Sequence, residues 1–251
     1  SDGVSLVISY FAIKLKSKDN SHKHTFGLKR AEVVAAFINS ASLVGIAIYL
    51  FYEAIKRFMN PQTIEPGLMG IIAFLGLIGN ILGVLLLIKG SKESMNIKSA
   101  YLHLISDSVS SVAIIIGAAA IYYWQIYWID PLLTVLIGIY ILKASFSILI
   151  ASLHILMEGA PLEISLQAIH NTVTKVNGVV DIHHIHLWTV GENDIHLEAH
   201  VNINDMMISE SGIILEKIEN LLKDNFSINH ITLQFECEKC KGVGLIKEHK
   251  Y

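Results

Sequence analysis

Residues 67–88, GLMGIIAFLGLIGNILGVLLLI, carry no charged side chain. A helix of that length rises about 33 Å, enough to cross a hydrocarbon core of about 30 Å. Backbone groups inside lipid must bond within their own segment, so this run admits little besides a membrane helix. Further spans are expected at 33–52, 99–122 and 131–151, and Ser1 to Ile13 reads as the back half of another. Pro61 and Pro66 bracket the turn between the first two full spans. Asp130-Pro131 marks a helix start, where the missing proline N–H costs nothing. Four such helices in succession are too many for a soluble helical core. Composition agrees: 16% of residues are charged, against roughly 25% in an ordinary soluble domain. A net charge of −3 gives no electrostatic reason to expect nucleic acid. No signal-peptide pattern opens the chain, which reads as starting within a span.

Lysine and arginine set the orientation. The segment after the first partial span holds Lys14, Lys16, Lys18, Lys23, Lys29 and Arg30, and the loop at 89–98 holds Lys89, Lys92 and Lys98. The turns at 60–66 and 123–130 hold neither residue type. Both basic loops are therefore expected in the cytoplasm, and with them everything after residue 155. Lys56 and Arg57 lie at the opposite end and run against the trend. Lys143, inside the last span, must snorkel or face a wet cavity.

From Glu158-Gly159-Ala160-Pro161 onward the composition turns soluble. The pattern reads helix (162–176), strand (179–190), strand (194–203), helix (208–224), strand (229–236), with Ser209 or Asp205 capping the second helix. Gly191-Glu192 fits a two-residue hairpin turn. The expected organisation is a polytopic α-helical membrane domain (1–155), a small α+β domain of αββαβ order (156–236) and a tail (237–251).

An ionisable group inside a span is expensive and marks function by default. His103 and Asp107 are four apart, one turn apart on one helix face. Imidazole nitrogen with carboxylate oxygen suits Zn²⁺, although the same pair can simply lock helix packing. Asp2, in the partial span, can supply a third ligand and weights the choice towards metal. Asn39, Asn80, Ser108, Ser110 and Ser111 read as interhelical glue, and Arg30 with Glu32 as an interfacial charge pair.

The soluble half concentrates histidines: His183, His184, His186, His196, His200 and His230. Alternation along a strand sends His183 to the face opposite His184 and His186. A turn at Gly191-Glu192 sets His183 across from His200, within reach of one shared metal; a longer turn sets His184 there instead. Cys237-Glu238-Lys239-Cys240 is a metal half-site, with His230 or a partner chain to complete it. Asp19, His22 and His24 offer three ligands in a polar loop.

Taken in order, HTFGLKRAE (24–32), SAYLHLISDS (99–108), DPLLT (130–134), HILMEGAP (154–161) and VVDIHHIHLW (179–188) resemble the cation diffusion facilitator family of zinc transporters. The resemblance implies a six-span fold, of which about five spans are present here, followed by a ferredoxin-like cytoplasmic domain. It implies a transport site of two ligand pairs, with His103 and Asp107 on one span. Asp2 is then the second carboxylate of the other pair. It implies a cytoplasmic metal site at His183, His200 and Glu236, with regulatory Zn²⁺. It places His24 at an accessory metal position whose partner would fall at Leu28, which cannot ligate. It further implies Zn²⁺/H⁺ antiport, with Cd²⁺ or Co²⁺ as alternative cargo, a homodimer joined through the cytoplasmic domains, and a multi-pass protein of a bacterial or archaeal inner membrane.

Two other classes compete. A membrane-embedded zinc hydrolase needs an open metal position and a general base, and there is no H-E-x-x-H. A membrane-anchored zinc sensor without transport needs far fewer spans than this chain has.

Overall fold

A computed structural model describes residues 2–60, 65–92, 95–126, 128–191, 193–237 and 244–246. Pro61, Glu192 and Cys240 lie outside the described residues. The chain divides into two compact units, Ser1–Leu153 and His154–Tyr251.

The first unit is helical: α1 (Asp2–Lys16), α2 (Arg30–Met59), α3 (Pro66–Leu87), α4 (Met95–Trp124) and most of α5 (Ile129–Leu156). Helices α2 to α5 each hold a stretch long and apolar enough to cross a membrane. α3 starts on Pro66, and Ala73 is its buried residue. Its leucines and isoleucines face outward, so it requires apolar surroundings. α3 lies closely along α4, where a Cβ at Gly83 would meet Leu104 Cδ1 at 2.7 Å. At Gly138 of α5 it is a side chain of α2 that comes close: a Cβ there would meet the Phe51 ring at 2.9 Å. Small residues let membrane helices approach in this way.

The buried stripe of α2 includes Glu32, Ala36, Asn39, Leu43 and Ala47, at helical spacing. Asn39 is glue as expected: it donates to Ser9 Oγ and accepts from Ser5 Oγ, both at 3.2 Å, joining α2 to α1. Ser108 and Ser110 differ from expectation, donating to the carbonyls of Leu104 and Ser106 in their own helix. A serine hydroxyl reaches the carbonyl four residues earlier in its own helix, so its donor is satisfied without a neighbouring helix. Glu32 is buried rather than interfacial and accepts Lys16 Nζ of α1 at 2.6 Å.

The second unit follows the αββαβ order: α6 (Leu166–Val173), β1 (Val179–Gly191), β2 (Asp194–Ile203), α7 (Ile208–Phe226) and β3 (Ile228–Glu236). β2 lies between the others, antiparallel to β1 and parallel to β3. Both helices cover one sheet face through a core that includes Ile169, Ile182, Leu197, Val201, Ile218 and Leu222. α6 is shorter than the 162–176 expected. Pro161 holds the chain in a turn that accepts the Ile164 N–H, and Ser165 is extended at the N-cap. Beyond Val173, Gly178 at φ +96° turns the chain into β1. Neither Asp205 nor Ser209 caps α7. Met207 stands at the N-cap, and Glu210 reaches back to accept its N–H at 3.2 Å.

The hairpin departs from expectation by one residue. Gly191 pairs with Asp194, so it ends the strand rather than opening the turn. Continued without interruption, that register would set His183 opposite Asn202. Two irregularities, at Thr189/Gly191 and His183/His186, shift the ladder so that His183 faces His200 after all.

Candidate metal sites and family membership

In the membrane unit, one helical turn brings His103 Nε2 to 3.4 Å from Asp107 Oδ2. His103 is buried and Asp107 partly so. Asp107 lies at one end of a cavity of about 860 Å³ walled by α2, α3, α4 and α5. Glu53, Lys56, Arg57 and Asp130 line its other end. Arg57 bonds both carboxylates: Nε to Glu53 Oε1 at 3.2 Å and Nη1 to Asp130 Oδ2 at 3.1 Å. Sequence reading missed this group, because its members come from separate helices.

Asp2 opens α1, and its side chain lies outside the described residues. α1 packs against α4.

In the soluble unit, His183 and His200 are direct cross-strand partners on β1 and β2. Glu236, last residue of β3, stands beside Asn202 in the ladder. His200 Nδ1 is 2.9 Å from Glu236 Oε1, and His183 Nε2 is 3.6 Å from Glu236 Oε2. The three offer ligand atoms that all lie within 4.8 Å of one another. His183 and Glu236 are buried. Two imidazoles and a carboxylate, converging where water is scarce, fit a borderline-soft dication such as zinc, whose charge would offset the cost of burying the carboxylate.

A residue that sequence reading missed stands behind this trio. Asp181 Oδ2 is 3.4 Å from His183 Nδ1, and its Oδ1 is 3.1 Å from His170 Nε2. Its signal was the D-x-H spacing, which aims both side chains to one face of a strand.

Among the described residues, the remaining sequence candidates do not assemble into a site. His230 stands near the start of β3, its ring 4.8 Å from that of His196. Cys237 follows the end of the same strand and is exposed. At about 3.3 Å per residue the strand holds them roughly 20 Å apart, so His230 cannot complete a site with Cys237. An extended strand cannot fold back on itself. His24 is exposed, in a turn where it pairs with Ser21, and Asp19 and His22 are exposed too.

Two families of domain match this sequence. The cation efflux transmembrane domain covers residues 1–157, and the cytoplasmic domain of cation efflux proteins covers 161–238. The chain belongs to the cation efflux family. It is 39% identical to a cadmium, cobalt and zinc/H(+)-K(+) antiporter of Bacillus subtilis, over 95% of this chain and 77% of that protein. It is 36% identical to the metal cation efflux system protein CzcD of Cupriavidus metallidurans, over 96% and 76%. It is 33% identical to the zinc transporter ZitB of Escherichia coli, over 96% and 77%.

As a cation efflux protein the chain is a multi-pass membrane transporter of divalent metal cations, not an enzyme, and the hydrolase reading falls. Its second unit is cytoplasmic. That fixes the sense of the helices. α5 leads into the cytoplasmic unit, so its start at Ile129, and with it Asp130 and Arg57, lies on the far side of the membrane. The cavity therefore occupies the outer half of the bundle, from Asp107 at mid-depth outward.

Proposed function

We propose that this efflux protein exports Zn²⁺ in exchange for protons, with His103, Asp107 and Asp2 as the cargo ligands contributed by this chain. The observation that carries the reading is the pairing of buried His103 with half-buried Asp107 at the inner end of an outward cavity. Imidazole binds metal only when neutral and carboxylate only when ionised, so metal arrival and proton departure are coupled by the donor set itself. A nitrogen donor favours Zn²⁺, Cd²⁺ or Co²⁺ over cations that prefer oxygen alone. The metals named for relatives in Bacillus and Escherichia fall in that group. Movement of helices around a fixed mid-depth site then exposes the metal to each side in turn.

We further propose that residues 1–155 form the transport domain and 156–236 a metal-binding and dimerisation domain. His183, His200 and Glu236 are its zinc ligands. Zinc binding there stabilises whichever packing brings the ligands together, which makes the cytoplasmic unit a sensor of cytosolic zinc. His183→Ala with His200→Ala should remove activation by cytosolic zinc and leave transport-site binding intact. The chief test uses proteoliposomes with an acidic lumen. Zinc should enter against the proton flow, and Asp107→Ala should abolish that uptake. Undiminished uptake by the variant would overturn the assignment of the transport site.

A further inference from the structure

We propose that His184 is a fourth ligand of the cytoplasmic metal site, brought onto it by a bulge in β1. The inference rests on the reading of His183, His200 and Glu236 as a metal site. A regular strand sends consecutive side chains to opposite faces, so His183 and His184 should never share one. β1 breaks that rule where its ladder with β2 slips, between His183 and His186. Ile182 and Ile185, on either side of the histidine pair, both belong to the hydrophobic core, so the two histidines together turn to the other face. Bulges re-aim side chains in this manner.

The backbone there is strained. His184 sits at φ +53°, a left-handed conformation that is uncommon for a residue with a Cβ. Such strain persists where the surroundings over-determine it, and ligand clamps are one such place. Its consequence is specific: the His184 ring centre lies 4.6 Å from that of His200, nearer than the 5.7 Å from His183 to His200. His184 is half-buried, while His186, 4.9 Å away, is exposed. Structural zinc sites are almost always four-coordinate. The trio supplies two nitrogens and one oxygen, and His184 is the next nitrogen-bearing ring in line.

The strain itself supplies a clean variant. Glycine adopts positive φ without penalty, so His184→Gly removes the imidazole while favouring the bulge. The protein, in detergent and carrying His103→Ala, Asp107→Ala and Cys237→Ser to silence other sites, would be titrated with Co²⁺ and the cobalt displaced by Zn²⁺. Four-coordinate cobalt gives intense visible d–d bands, and higher-coordinate cobalt gives weak ones. With His184 present the intense band is expected. His184→Gly should lose it and bind zinc at least about tenfold more weakly, some 1.4 kcal/mol, while melting no lower without metal. His186→Ala should keep band and affinity. An unchanged band and affinity in His184→Gly would overturn this inference alone, provided His183→Ala abolishes binding. Unchanged binding in His183→Ala and His200→Ala would overturn the underlying site and this inference with it.

Discussion

Arg57, near the end of α2, donates from Nη1 to Oδ2 of Asp130 at the start of α5, 3.1 Å away in space and 73 residues away in sequence. Its Nε holds Glu53 on its own helix. One guanidinium thus ties the outer ends of two helices together and sits in the wall of the cavity that reaches Asp107. The tie explains why Arg57 stands on the outer side against the general lysine and arginine bias. Arg57 answers carboxylates already there, one of them buried.

Breaking that tie should be felt in stability. Arg57→Gln leaves Asp130 buried without its charge partner, at a cost of about 1–3 kcal/mol. The side chain of Arg57 is 40% exposed, which holds the loss below that of a fully buried pair. Arg57→Lys keeps the charge but lacks the planar fork that serves two carboxylates, so it should fall between. Thermal unfolding in detergent measures all three. A melting temperature for Arg57→Gln equal to wild type would show that the pair does not fasten α2 to α5.

Proton competition at the transport site has a definite sign. Lowering the pH protonates imidazole and carboxylate, and neither protonated form binds metal. Zinc affinity in a His183→Ala, His200→Ala background should therefore fall steadily as the pH is taken from 7.5 towards 5.5. Titration calorimetry in buffers of different ionisation enthalpy should also register protons released as zinc binds. Affinity independent of pH over that range would remove the chemical basis for exchange.

Much of this architecture is legible from residues alone, where local chemistry decides. A charge-free stretch such as 67–88 has one solution in lipid, and α3 begins on Pro66, one of the two prolines expected to bracket the turn before it. Strand patterns located β1, β2 and β3 to within a residue or two. The pairing of His183 with His200 was anticipated on an incorrect turn: Gly191 ends the strand, and two slips in the ladder restore the register. A bulge leaves no mark in an alternation pattern, so the reorientation of His184 could not be foreseen. Arg57 and Asp130 meet only because α2 and α5 pack together, a tertiary fact that no spacing encodes.

The Asn39 bonds offer a separate check on how α1 is held. Asn39→Leu removes both the donor to Ser9 and the acceptor for Ser5 while roughly preserving volume. Interhelical hydrogen bonds of this kind are worth about 0.5–2 kcal/mol in membranes. The variant should melt earlier by a corresponding small amount, with Ser5→Ala and Ser9→Ala each accounting for part. Because α1 carries Asp2, zinc affinity at the transport site should weaken alongside. Loss of stability with unchanged affinity would separate α1 packing from metal binding.

Asp181 should matter to the cytoplasmic site without touching the metal. Its Oδ2 lies 3.4 Å from Nδ1 of His183, which leaves Nε2 of that ring, on the Glu236 side, to serve as ligand in the proposed site. A carboxylate behind an imidazole fixes its tautomer and makes it a better donor, and loss of such a partner costs roughly 10–100-fold in metal affinity. Asp181→Ala should show that loss in a zinc competition titration. Asp181→Asn retains an acceptor without the charge and should recover part of it. His170→Ala, which leaves Asp181 facing His183, should change affinity by much less. Equal affinities for Asp181→Ala and wild type would mean that the ring is held by its strand alone.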